Sequence, residues 1–217
     1  ETTGFKSDTY TASTFENVLM RRINDPEGGG AVGTYGFGTH TDEVYTDFTQ
    51  GSLETTGGEA DLAISGNGFF TVQTPDGEAY TRAGNFFVNS EGYLTNSEGC
   101  YVLGQNGRIR VGTGGFAVGP DGSVTAGGRQ EDRLRIVDFE NPAALRKIGG
   151  SLFTGGAPAE AQGYSIRQGS LEGSNVSITG EMVNMITLYR IYEANQKVLT
   201  MTDETLGMAV SQIGSLR

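Results

Sequence analysis

Tryptophan is absent, and cysteine and histidine occur once each, at Cys100 and His40. A single thiol excludes an internal disulfide framework, and a single imidazole removes most zinc and His-base chemistries. No run of about 20 apolar residues is present to span a bilayer, so no membrane insertion is expected. Basic residues are the minority, 15 against 26 acids, and the formal net charge of -11 argues against nucleic acid and anionic membrane surfaces as partners. No basic aromatic platform offsets that balance. A cleavable leader is missing as well, and because the sequence opens on Glu1 with no initiator Met, the natural N-terminus is expected to lie upstream.

Glycine is what the sequence has in excess. There are 35 in 217 residues, about twice the usual share, and they punctuate apolar runs instead of clustering, which marks turns in a strand-rich body. Asp61-Leu-Ala-Ile-Ser-Gly-Asn-Gly-Phe-Phe-Thr-Val72 opens the compact part as two apolar runs joined by Ser65-Gly-Asn-Gly68, a hairpin or bulge signal. Gly66 and Gly68 are expected at positive φ, with Asn67 between them and Phe69 and Phe70 on opposite faces of the following strand. Turns then recur at Pro75-Asp-Gly77, Asn89-Ser-Glu-Gly92, Asn96-Ser-Glu-Gly99, Asn106-Gly107, Pro120-Asp-Gly122 and Gly127-Gly128. That spacing predicts many short strands and an all-β body, within which Asn141-Pro-Ala-Ala-Leu-Arg-Lys makes at most one helical turn.

The last stretch is of another kind. Alternate steps of four and three from Ile178 land on Met182, Met185, Tyr189, Tyr192, Gln196, Leu199, Asp203, Leu206, Val210 and Ile213, a coiled-coil seam broken only by Gln196 and Asp203. No proline interrupts it, Ser177 or Thr179 can cap it, and Glu181 falls in the first turn, where the helix dipole favours an acid. A second seam, Ala194, Val198, Met201 and Met208 with Thr205 between, runs on the opposite side. An ordinary surface helix needs one apolar face; two imply a helix packed from two sides. The expected architecture is therefore mainly β: a Gly-rich domain of many short strands plus a long C-terminal coiled-coil helix. Residues 1–58 read as an extension with a short amphipathic helix (Phe15, Val18, Leu19, Ile23) and extended segments, 59–165 as the β-rich domain, and 166–217 as linker and helix. The cluster Asn24 to Gly30 reads as a loop.

Catalytic, cofactor and metal sites are not legible. His40 has no second ligand nearby, Cys100 reads as a half-buried strand residue, and the Asn-Ser-Glu-Gly tracts lack the alternating acids of a calcium loop. The Gly66 loop fails as a dinucleotide fingerprint because its third glycine position is Thr71. Asn175-Val-Ser177 matches a glycosylation acceptor but reads better as the start of the helix.

Thr2-Thr-Gly-Phe-Lys6, Asp61-Leu-Ala-Ile-Ser-Gly-Asn-Gly-Phe-Phe70, Ala79-Tyr-Thr-Arg-Ala-Gly-Asn-Phe86, Gly92-Tyr-Leu94, Gln168-Gly-Ser-Leu-Glu-Gly-Ser-Asn-Val176, Glu181-Met-Val-Asn-Met-Ile186 and Tyr192-Glu-Ala-Asn-Gln-Lys197 occur in this order. Together they resemble the bacterial flagellar rod and hook protein family. The resemblance implies a non-enzymatic structural subunit that assembles with itself into a helical polymer and meets neighbouring rod and hook proteins. It implies an axial tube of the flagellar basal body, crossing the periplasm or cell wall, which transmits torque and houses the export channel. Such proteins leave the cell through the type III apparatus without a cleaved signal. Family members carry an N-terminal helix ahead of the Thr-Gly-Phe-Lys motif; this sequence is expected to begin about where that helix ends, one seam packing that helix and the other packing neighbouring subunits. Size, and the segment Tyr35 to Phe48, favour the distal rod over the proximal. The competing reading is a secreted β-rich adhesin or fibre module, trimerised by the C-terminal helix, with Phe69, Phe70, Phe86 and Phe87 recruited for glycan stacking; a hydrolase on an all-β scaffold lacks any acid-base constellation.

Overall fold

The computed structural model describes residues 2–21 and 31–214. Four strands, β1 (Asp8–Thr14), β2 (Val18–Arg21), β3 (Ala31–Tyr35) and β4 (Thr39–Thr46), make two antiparallel ribbons, β1 with β4 and β2 with β3. This corrects the short helix expected around Phe15 to Ile23. Phe15, Val18 and Leu19 are all exposed, so a helix here would have no core to bury its apolar face against, and short helices gain most of their stability from such packing. Pairing Val18 with Tyr35 and Leu19 with Thr34 satisfies the backbone instead. Ile23 and the loop expected over Asn24 to Gly30 lie outside the described residues.

Two short strands, β5 (Leu53–Thr55) and β6 (Leu62–Ser65), precede the main sheet. Its first members are β7 (Phe69–Thr74), β8 (Gly77–Thr81), β9 (Phe87–Val88), β10 (Leu94–Thr95), β11 (Tyr101–Gly104) and β12 (Gly107–Arg108). A meander of β13 (Phe116–Val118), β14 (Ser123–Ala126) and β15 (Arg129–Arg133) follows. The chain then returns to the main sheet with β16 (Ile136–Phe139), a single 3-10 turn capped by Asn141, β17 (Leu145–Gly149), β18 (Leu152–Gly155) and β19 (Pro158–Glu160). Across that sheet the order is β17-β18-β8-β7-β11-β10-β9, with β12 on β11, and β16 between β7 and β19. Lastly β20 (Ser165–Gln168) pairs with β6 and β21 (Ser170–Glu172) with β5, before the helix α1 (Ile178–Gly214).

The sequence places β7 at the centre because both of its faces are apolar. Phe70 and Val72 enter one core with Leu62, Ile64, Leu94, Val102, Ile109 and Leu134. Phe69 points the other way, into an aromatic cluster with Tyr80, Phe139, Phe153 and the half-buried Phe48, whose rings meet edge-on at centroid distances such as 5.1 Å for Phe48 with Phe153 and 5.6 Å for Phe69 with Phe139. Each ring buried is worth about 2 kcal/mol. The Ser65-Gly-Asn-Gly68 turn does not close a hairpin, because β6 pairs with β20 while β7 pairs with β8, β11 and β16. It carries the chain from one sheet to another, with Gly66 at φ 105° and Gly68 at φ 127°. The two Asn-Ser-Glu-Gly tracts are the same turn made twice. Asn89 Oδ1 accepts the backbone N–H of Glu91 and Tyr93, and Asn96 Oδ1 those of Glu98 and Cys100, while Gly92 and Gly99 take φ of 82° and 81°.

The structure divides into two compact units, Glu1–Asn175 and Val176–Arg217. Gly68 gives a test of the first. A Cβ there would stand 2.6 Å from Ile136 Cγ2, so Gly68→Ala adds a clash to the backbone strain and lowers stability by about 2 to 3 kcal/mol; Gly77→Ala, at φ 138° with open space around it, costs about 1 kcal/mol. Denaturant midpoints of the two variants compare these directly, and equal losses would contradict the role assigned to Gly68.

Candidate assembly site

The helix α1 runs for 37 residues, about 55 Å at 1.5 Å per residue. Ser177 caps it: its Oγ accepts the Gly180 N–H at 3.2 Å and its carbonyl accepts the Glu181 N–H at 2.9 Å. Glu181 is the one acid in the first turn. Threonine would ordinarily carry a polar group onto an apolar face, but four of them hide it. Thr187, Thr200, Thr202 and Thr205 donate their hydroxyls to the carbonyls of Val183, Gln196, Val198 and Met201, one turn back, at 2.6–2.8 Å. A hydroxyl satisfied by its own backbone can be covered by a partner without losing a water hydrogen bond.

All described side chains from Ser177 to Gln212 are exposed. In the first seam Ile178, Met182, Met185, Tyr189, Tyr192, Leu199, Leu206 and Val210 keep 57–71% of their surface in solvent, and in the second Val198, Met201 and Met208 keep 57–64%; Ala194 is exposed too. The Ile213 side chain lies outside the described residues. Reading by four-three steps missed Val183, Ile186, Leu188 and Ile191, which are exposed as well. With them, the stretch from Ile178 to Tyr192 is apolar on all sides apart from Thr179, Glu181, Asn184, Thr187 and Arg190. Counting apolar residues around the whole circumference, instead of along chosen seams, would have found them. A helix apolar all round belongs in an interior, and a surface of this extent exceeds what soluble monomers ordinarily expose.

At the other unit the sequence motifs converge on one buried cluster. Lys6 Nζ stands 2.6 Å from Glu172 Oε1, and an Arg82 guanidinium nitrogen 3.2 Å from Glu172 Oε2, with all three side chains at most 4% exposed. The surrounding partners are backbone: Lys6 also donates to Thr49 O, Arg82 to Gly66 O, and the Gly51 N–H to Glu172 Oε1. Burial holds the ammonium of Lys6 and the guanidinium of Arg82 below their ordinary pKa, and the Glu172 carboxylate opposes both shifts. Two cations share one anion, so Glu172 is the member neither of the others can lose. The same region ties residues 4–7 to residues 172–175. The Gly4 N–H donates to Glu172 O, the Ser7 N–H to Asn175 Oδ1, and the Asn175 amide to Asp47 O and Thr49 Oγ1. Asn175 is thus a clamp on the body, and Ser177 is the helix cap.

His40 lies exposed on β4, 4.6 Å from the Phe15 ring and hydrogen-bonded to Ser13. Cys100 is buried just ahead of β11, where burial and Glu98 push its thiol pKa up. Among the described residues no group of His, Cys, Asp or Glu is arranged to hold a metal ion, and no helix is long and apolar enough to cross a membrane.

A strand-built body whose helix presents apolar surface on every side defines a class, the subunit of a larger assembly. The comparisons specify which. Residues 167–212 match the family described as flagellar basal body rod FlgEFG protein C-terminal, and residues 63–126 the flagellar hook protein FlgE/F/G D1 domain. The chain is 34% identical to the flagellar basal-body rod protein FlgG of Bacillus subtilis over 94% of its own length and 86% of the relative. It is 35% identical to FlgG of Borreliella burgdorferi over 96% and 86%, and 38% identical to the rod protein FlgF of Caulobacter vibrioides over 80% and 73%. The chain belongs to the flagellar basal-body rod protein family.

Two tests follow from the triad. Glu172→Gln leaves two buried cations without a counter-charge and lowers stability by about 3 to 5 kcal/mol, whereas Lys6→Met, which leaves Glu172 with Arg82, costs markedly less; the order is read from urea midpoints. A chain ending at Asn175 keeps the full near-ultraviolet and far-ultraviolet circular dichroism of the body, but one ending at Gly169 loses β21 and Glu172 and does not fold. A folded 1–169 fragment would remove the triad from its place in the argument.

Proposed function

We propose that this chain is a non-enzymatic structural subunit of the bacterial flagellar rod, most like the distal rod protein, that polymerises with itself and abuts neighbouring rod and hook proteins. The observation that carries the reading is the exposed helix of a rod-family chain, apolar on all sides over its first half. Such a helix is covered only in an assembly, where one seam packs a helix of the same subunit and the other a neighbouring subunit, and packed helices closed into a ring make a tube. The tube would house the export channel and transmit torque across the periplasm or cell wall, and its subunits would be exported without a cleaved signal. The FlgG relatives of Bacillus subtilis and Borreliella burgdorferi align over 94% and 96% of the chain, which supports the distal reading. The adhesin reading is not favoured, because the relatives spanning nearly the whole chain are named flagellar rod or hook-basal body proteins.

Leu199→Asp with Leu206→Asp places two carboxylates in the first seam. Each buried leucine is worth about 2 kcal/mol, so the pair abolishes self-association of the chain in sedimentation and removes helical assemblies from electron micrographs, while the melting of the strand body is unchanged. Discrete trimers indifferent to the substitutions would instead support the adhesin.

A further inference from the structure

The outer face of the main sheet carries a group of side chains that the core does not use. Tyr101 on β11 has the Arg108 guanidinium over its ring at 4.2 Å, and Arg108 Nε donates to Gln73 Oε1 at 2.8 Å. Tyr93 meets Tyr101 edge-on at 5.7 Å, and Arg110, paired with Tyr93 across the strands, lies 5.9 Å from the Tyr93 ring. Thr95 is in register with both Tyr101 and Phe87, which sets Phe87 on the same face about 10 Å away, with 56% of its surface exposed. The opposite face of these strands, with Leu94, Val102 and Ile109, is the core.

Three properties suit this face to binding. Tyrosine and arginine are the residue types that carry most interface energy. Stacking on an aromatic ring fixes each guanidinium before any partner arrives, so less rotamer freedom is lost on binding. Among the described residues neither Arg108 nor Arg110 has a carboxylate partner, since the ion pairs engage only Lys6, Arg82, Arg133, Arg135 and Lys147. Among the described residues those same pairs use only the acids Glu172, Asp121, Glu78 and Asp8.

From this we infer that the Tyr93–Tyr101–Arg108–Arg110 face docks a carboxylate-bearing surface of a second copy of this chain. Copies with a net charge of -11 repel one another, and a contact in which a preformed cationic patch meets uncompensated acids turns that charge into register between neighbours. The planar guanidinium takes a carboxylate through two parallel hydrogen bonds, which fixes orientation as well as distance. The inference rests on the rod-subunit reading, and it names a surface on the strand body distinct from the helix seams.

The test uses the whole chain. Arg108→Glu with Arg110→Glu, both exposed positions, leaves the melting temperature of the body unchanged and weakens self-association by at least about tenfold at low salt; the difference from the unaltered chain closes near 1 M salt, where the screening length is about 3 Å. In parallel, the Arg108→Lys variant supplies an amine for zero-length carbodiimide coupling, and a mixture of isotopically light and heavy chains identifies bonds between copies. Coupling to aspartate or glutamate of another copy is the expected result. Association indifferent to the charge reversal, or coupling confined to one copy, overturns the inference while leaving the rod reading intact. A chain that does not self-associate at any salt overturns both, and preferential capture of the unaltered chain by an anionic polysaccharide, with no coupling between copies, assigns the face to a different partner and overturns it as well.

Discussion

Everything in the strand body depends on one carboxylate. Glu172 comes late in the chain, Lys6 comes early and Arg82 lies between them, and their meeting in a buried site requires that the first and last segments of the body be placed before either cation is neutralised. Removing ions from water costs several kcal/mol each, and mutual attraction repays that only with good geometry and further hydrogen bonds. The bonds are supplied here by Thr49, Gly51 and Gly66, all in loops. The cluster therefore specifies an arrangement of loops more than it adds stability. Arg82 Nε, the one buried side-chain polar atom left without a partner among the described residues, lies in the same cluster, which fits a site selected for arrangement before energy.

Around that cluster the rest of the body is ordinary packing. β7 alternates Phe69 and Phe70 between two cores, and its neighbours are added by turns whose geometry is set by asparagine side chains and glycines. The class of the fold was legible because these turns have local signatures: Asn-Ser-Glu-Gly, Pro-Asp-Gly and Ser-Gly-Asn-Gly each dictate backbone shape within a few residues. The helix was legible for the same reason, since a 3.5-residue rhythm and a serine cap are local facts.

What escaped the sequence is non-local. The Gly66 turn connects two sheets instead of closing a hairpin because β6 finds its partner about a hundred residues later, in β20, and no spacing rule reports that. Phe15, Val18 and Leu19 sit at helical intervals, yet the pairing of β2 with β3 decided their state. Lys6, Arg82 and Glu172 each stood inside a motif that carried the family resemblance, but three charges scattered over the chain look like solvated surface until the fold buries them together. On the helix, choosing two seams in advance concealed Val183, Ile186, Leu188 and Ile191; the residues were visible, and the template hid them.

Asn175 is the last residue of the body and the point where the helical unit begins to leave it. Its side chain holds the backbone at Ser7 and Asp47 and the Thr49 hydroxyl at once, two residues from a cap that starts a stiff helix. A pull on the chain beyond Asn175 reaches the body at this residue. It is divided between two chain segments, one at Ser7 and one at Asp47 to Thr49, both bonded to the same side chain. One amide side chain therefore joins the start of the body to its last residue, so a change at Asn175 is felt at both segments.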